Sequence, residues 1–143
     1  MINTRVIDES LKKSIGAYVK AVDQASIRGI QLAGINIHAD VIKAIRKPSL
    51  GPTVTRYVPT RTHKVSAPGE APNWDRGGLA ASYQVNFNRS IPESEVGSGL
   101  RYARDLELGT SKMDARPHLG PALKKYAQKN KLKDFEVRFG TDK

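Results

Sequence analysis

Cysteine is absent from the chain, which excludes disulfides and thiol chemistry and implies no oxidising compartment. No apolar run reaches the roughly 18 residues that a membrane-crossing helix needs. The start, Met1-Ile2-Asn3-Thr4-Arg5, lacks the apolar core of a signal peptide. These gaps predict a protein made and used in the cytoplasm, with no membrane partner. Acidic residues are missing from Val41 to Gly69, while Lys43, Arg46, Lys47, Arg56, Arg61 and Lys64 all fall in that window. Tryptophan occurs once, at Trp74. Phosphate-loop and nucleophile-elbow glycine motifs are missing too.

What is there is a basic chain of 143 residues with a net charge of +10. The length fits one domain with a real core, and it predicts a single domain over 1–143. A hydrophobic fraction of 38% is somewhat low, which suits a protomer completed by assembly and equally a loop-rich monomer. The positive excess points to an acidic partner or a nucleic-acid path.

Residues 6–47 read as one helix. Leu11, Ile15, Tyr18, Val22 and Ala25 recur at helical spacing. Ile27, Ile30, Gly34, Ile37, Val41 and Ile45 continue on a shifted stripe. Strict heptads fail, so the pattern favours packing on a sheet over a coiled-coil seam. Gly29 and Gly34 mark a bend or a close approach by another segment. His38 is expected on the helix surface.

Pro48 stops the helix, and a basic loop rich in proline and glycine follows over 48–78. Inside it, Thr53–Tyr57 and Thr62–Val65 suit a weak hairpin. The remainder, 79–143, reads as sheet plus helix. Leu79–Asn88 alternates as a strand, Glu95–Ser98 begins a second, and Tyr102, Leu106 and Leu108 share the parity of a third. Gly109 ends that strand at a positive φ. Residues 117–129 form a helix, and Phe135, Val137 and Phe139 alternate as a last strand. The expected fold is α+β, with a long N-terminal and a shorter C-terminal helix on an antiparallel sheet.

Three separated histidines have no metal-ligand spacing, and the residues predict no metal and no cofactor. Asp105 and Glu107, two apart on a strand, share a face, but Arg101 and Arg104 favour salt bridging over acid–base work. Glu107, before Gly109-Thr110, is the distinctive acid. It is either hydrogen-bonded to loop N–H groups or in contact with another subunit. Ser66 and Ser82 have no histidine placed to activate them. No catalytic residue is assigned, and the expectation is a protein that is not an enzyme. Trp74, on a loop, is either a core plug or an interface anchor.

Two blocks carry a family resemblance. The first is Tyr102-Ala103, Glu107-Leu108-Gly109-Thr110, Arg116-Pro117 and Pro121-Ala122-Leu123. The second is Ser66-Ala67-Pro68-Gly69-Glu70-Ala71-Pro72 with Gly77-Gly78-Leu79-Ala80-Ala81-Ser82. Together they resemble the lambdoid gene-product-ten-like family of tail-completion, or head–tail joining, proteins of tailed bacteriophages. Arg76 stands where that family usually has threonine, and His118 where it usually has phenylalanine.

The resemblance implies a structural virion protein of the phage neck, assembled in the host cytoplasm. Its copies would form a ring, of six rather than twelve, against connector or stopper proteins and tail-tube or terminator proteins, with double-stranded DNA passing through. It implies subunit or partner contacts at Glu70, Trp74, Arg104, Glu107, Gly109, Thr110, Arg116 and Pro117. Lys43, Arg46, Lys47, Arg56, Arg61 and Lys64 would then line the DNA channel or meet an acidic neighbour. The alternative, from the residues alone, is a sequence-independent nucleic-acid-binding protein using the basic loop and the lysine-rich C-terminal helix, with Lys124, Lys125, Lys129 and Lys131.

Overall fold

The computed structural model describes residues 9–57 and 60–130. It is α+β. Helix α1 spans Glu9–Arg46, strands β1 and β2 are Thr53–Tyr57 and Thr60–Lys64, and α2 is Gly78–Ser82. Strands β3 and β4 are Tyr83–Phe87 and Ser94–Ser98, followed by α3 (Arg101–Leu108) and α4 (Leu119–Asn130).

Helix α1 is 38 residues long, about 57 Å at 1.5 Å per residue. Its two halves differ. Ala33, Ile37, Val41 and Ile45 are buried, the last two almost completely. They meet Ala80, Tyr83 and Ala122, and this cluster is the core. By contrast, every residue from Lys12 to Ser26 is exposed. The stripe of Ile15, Tyr18 and Val22 therefore lies on no sheet, against expectation. Only the shifted stripe toward the C-terminus is packed. His38, expected at the surface, is half-buried, its Nε2 3.2 Å from Tyr83 O.

Gly34 accounts for the close approach. A Cβ there would stand 2.0 Å from Ser94 Oγ and 3.1 Å from Val85, so only glycine lets β3 and β4 lie against the helix.

The strands form two separate antiparallel hairpins, not one sheet. In the first, Arg56 lies opposite Arg61. In the second, Val85 lies opposite Val96. The expected strand at Leu79–Asn88 is a strand only from Tyr83. Gly77, at φ 79, turns the chain, and Leu79-Ala80-Ala81 take a helical turn that buries Ala80 beside Tyr83.

The expected strand around Tyr102 is the helix α3. Its buried positions are Ala103 and Glu107, four apart, while Tyr102 and Leu108 are exposed. The parity of Tyr102, Leu106 and Leu108 therefore reports no buried face. On a helix, Asp105 and Glu107 point to opposite sides and share no face. Gly109 does adopt positive φ, at 77, but it ends a helix. The expected strand at Phe135–Phe139 lies outside the described residues.

Candidate functional site

The turn after α3 is built around one buried carboxylate. Glu107 Oε2 accepts hydrogen bonds from the N–H groups of His118 (2.8 Å) and Leu119 (3.0 Å), and Oε1 from Gly120 (2.7 Å). These are N–H groups of the first turn of α4 that no helical carbonyl can reach. Burial alone would push the Glu107 carboxyl up. The His118 ring and the three N–H groups outweigh it and hold the carboxyl down to about 2. Of the two sequence readings, hydrogen bonding to loop N–H groups is what this side chain does.

His118 is 1% exposed. Its Nδ1 is 3.0 Å from Glu107 Oε2 and 3.0 Å from Arg116 O, and its Nε2 is 2.6 Å from the Tyr83 hydroxyl. The two rings meet edge to face at 5.5 Å. Burial, with the Glu107 charge behind it, pushes the Tyr83 hydroxyl well above its ordinary pKa. A buried polar anchor thus stands where the resembling family has an apolar one. Where that family has threonine, Arg76 is exposed and α2 has no side-chain cap.

The two resemblance blocks meet in space. Arg116 Nε donates to Ser66 Oγ (2.6 Å) and Nη2 to Ser66 O (2.9 Å), while Gly69 N–H donates to Ala115 O (3.0 Å). Glu70 then ties this loop to the end of α1. Its carboxylate accepts from Ala67 N–H (3.0 Å), the Ser49 hydroxyl (2.9 Å) and Leu50 N–H (3.3 Å). The Ala67 and Ser49 bonds lower its pKa. Glu70, Glu107 and Arg116 therefore hold the protein's own loops. Gly109 lies against the chain at Ala115, where a Cβ would be 2.8 Å from the Ala115 nitrogen. Thr110 is exposed in a turn closed by its N–H to Met113 O (2.8 Å), and Arg104 is on the exposed side of α3.

The six cations of the acid-free window fall into two groups. Arg56, Arg61 and Lys64 are on the first hairpin. Arg56 and Arg61 face each other there, an unfavourable pairing that Asp75 offsets. Asp75 is bound by the Arg61 guanidinium, with Nη2 to Oδ2 at 2.7 Å, and that bond holds its carboxyl down to about 2.

Lys43, Arg46 and Lys47 sit at the end of α1. The Arg46 guanidinium lies 5.0 Å from the centre of the Trp74 ring. Trp74 is 40% exposed and covers Gly77, so it is not a core plug.

Lys43, Arg46 and Lys47 also rim a groove of about 490 Å³ between α1 and α4. Ala44, Pro117, Pro121 and Ala122 give it an apolar floor, and Lys125 stands on the opposite rim, 3.1 Å from Asp40. Lys43 and Lys47 are in no close ion pair among the described residues, though the Lys47 charge helps to hold Glu70 ionised. Sequence reasoning placed Pro117, the three α1 cations and Lys125, one of a lysine cluster with Lys124, Lys129 and Lys131 in the C-terminal helix, separately, and did not bring them to one groove. The arrangement suits an acidic segment carrying a small apolar group.

The chain is thus an α+β protein whose distinctive carboxylates brace its loops and whose open feature is a cation-rimmed groove. Comparison with protein-family models, curated proteins and solved structures returned no match.

Proposed function

We propose that this chain is a structural, ring-forming protein of a tailed-phage neck, joining the head connector to the tail. The observation that carries assembly is the outer half of α1. Ile15, Tyr18, Val19 and Val22 are each 45–72% exposed, in a stretch where every residue from Lys12 to Ser26 is exposed. An exposed helix with an apolar stripe gains stability when that stripe is covered. The two motif blocks supply the class of assembly, and their meeting through Arg116, Ser66 and Gly69 supports reading them as one unit. In this reading Arg104, Thr110, Pro117 and Trp74 remain at the contact surfaces. Glu70, Glu107 and Gly109 shape those surfaces from behind.

Electron microscopy of particles assembled without this gene product tests the reading. DNA-filled heads beside separate, normal tails are the expected result, and tails of uncontrolled length assign the chain to the tube terminus. Intact infectious virions overturn it.

The gathering of Lys43, Arg46, Lys47 and Lys125 around one groove supports a second reading, sequence-independent nucleic-acid binding. That reading requires duplex binding by the free chain with a steep salt dependence.

A further inference from the structure

We infer that the groove between α1 and α4 receives the tip of the β3–β4 hairpin of a second copy, so that copies join head to tail. The inference rests on the ring reading above and names the contact that builds the ring.

The hairpin tip is a preformed knob. Residues 86–93 are all exposed, and Ile91 at its end is 50% exposed. Asn88 Oδ1 accepts hydrogen bonds from the N–H groups of Ser90 (2.9 Å) and Ile91 (3.4 Å), and Asn88 N–H donates to Glu93 O (3.1 Å). Pro92 fixes one further backbone angle. Such a turn gives up little conformational freedom on docking.

Charge decides the occupant. The chain is strongly basic, and four of the nine carboxylates whose side chains are described are already engaged. Glu70 and Glu107 hold backbone N–H groups, Asp75 binds Arg61, and Asp40 binds Lys125. Glu93 and Glu95 lie together on the knob and make no ion pair among the described residues. Both follow Ile91-Pro92, with the exposed Arg89 on the other side of the tip, so the knob offers an apolar pair and two acids against one base, the chemistry that an apolar floor under a cationic rim accepts. A single strand fits less well, because the floor is mostly alanine and proline and its one ring, His118, is buried and offers no open face for a base to stack on.

The two surfaces lie apart. Gly34, against which Ser94 packs, is twelve residues along α1 from Arg46, about 18 Å. Knob and groove are different patches, so their contact is heterologous, the kind that closes into rings.

Reciprocal charge reversal tests this on the full chain. Sedimentation velocity of the wild type at 0.1 M salt is expected to show concentration-dependent assembly. Glu93→Lys with Glu95→Lys, and separately Lys43→Glu with Lys47→Glu, are each expected to weaken it at least about tenfold. Mixing the two variants pairs basic knobs with acidic grooves and acidic knobs with basic grooves, and is expected to restore assembly. Circular dichroism melts check that both variants fold.

Three results overturn the inference: a monomeric wild type, variants that assemble like the wild type, or a mixture that stays monomeric. Binding of a short DNA duplex that Lys43→Glu with Lys47→Glu abolishes, with self-assembly untouched, overturns it in favour of nucleic acid. None of these decides the neck reading, which the particles lacking the gene product judge separately.

Discussion

Glu107 and Gly120 define each other. The Gly120 N–H donates to Glu107 Oε1 at 2.7 Å, and a Cβ on Gly120 would lie 2.9 Å from the same oxygen. The carboxylate can reach the start of α4 only because that position has no side chain. Glu107→Gln replaces one acceptor oxygen with a donor and leaves an N–H of the turn unpaired. The expected cost is about 1–3 kcal/mol in chemical denaturation. Gly120→Ala should destabilise in the same direction, because the carboxylate must move. If either variant unfolds at the wild-type denaturant midpoint, the brace is not what holds this turn.

Acid should loosen the protein in a defined window. Glu107 and Asp75 both titrate near 2 when folded, below the ordinary carboxylate values of 4.5 and 3.8. A depressed folded pKa means that the unfolded chain binds protons first. Their contribution is full above the unfolded values and is lost as pH falls through 2. The denaturation midpoint should therefore decline between about pH 4.5 and 2, and less steeply in Glu107→Gln. Equal slopes in the two proteins would place the acid sensitivity elsewhere.

Two helix glycines should answer differently to alanine. At Gly34 a methyl group meets Ser94 Oγ, so Gly34→Ala is expected to destabilise by about 1–3 kcal/mol as the hairpin is pushed off. At Gly29 nothing lies within 4 Å, so Gly29→Ala is expected to stabilise by up to about 1 kcal/mol through helix propensity alone. Thermal melts of the pair read the contrast directly.

The outer stripe of α1 should matter to assembly and not to folding. Tyr18 is 72% exposed and Val22 45%. Tyr18→Lys with Val22→Lys is expected to change monomer stability by no more than about 0.5 kcal/mol per site. The same variant should lose assembly in light scattering. Assembly unchanged by both substitutions would remove the observation on which the neck reading leans.

Much of the architecture was legible because it is local. Pro48 ends α1, Gly109 takes its positive φ, and the hairpin forms with Thr53–Tyr57 as expected, its second strand being Thr60–Lys64 where Thr62–Val65 was expected. Helix α3 was misread because three apolar residues happened to share a strand parity, while its buried positions, Ala103 and Glu107, include a charged one. No periodicity rule puts a glutamate inside. Glu107 is buried because a loop eleven residues later wraps its N–H groups around it. The groove was half legible. The cations of α1 stood out in an acid-free window, but Lys125 is brought to them only by tertiary packing. Gly34 was legible as an oddity, and only the hairpin lying on it explains the glycine.

The pairing of Asp40 with Lys125 joins positions 85 residues apart. The first and last described helices close one core, so during synthesis the cover that Ala80 and Tyr83 begin over Ile37, Val41 and Ile45 is completed only when α4 leaves the ribosome. Completion of the core is then a late event on the nascent chain. A chain stalled before Ala122 holds that stripe only partly covered.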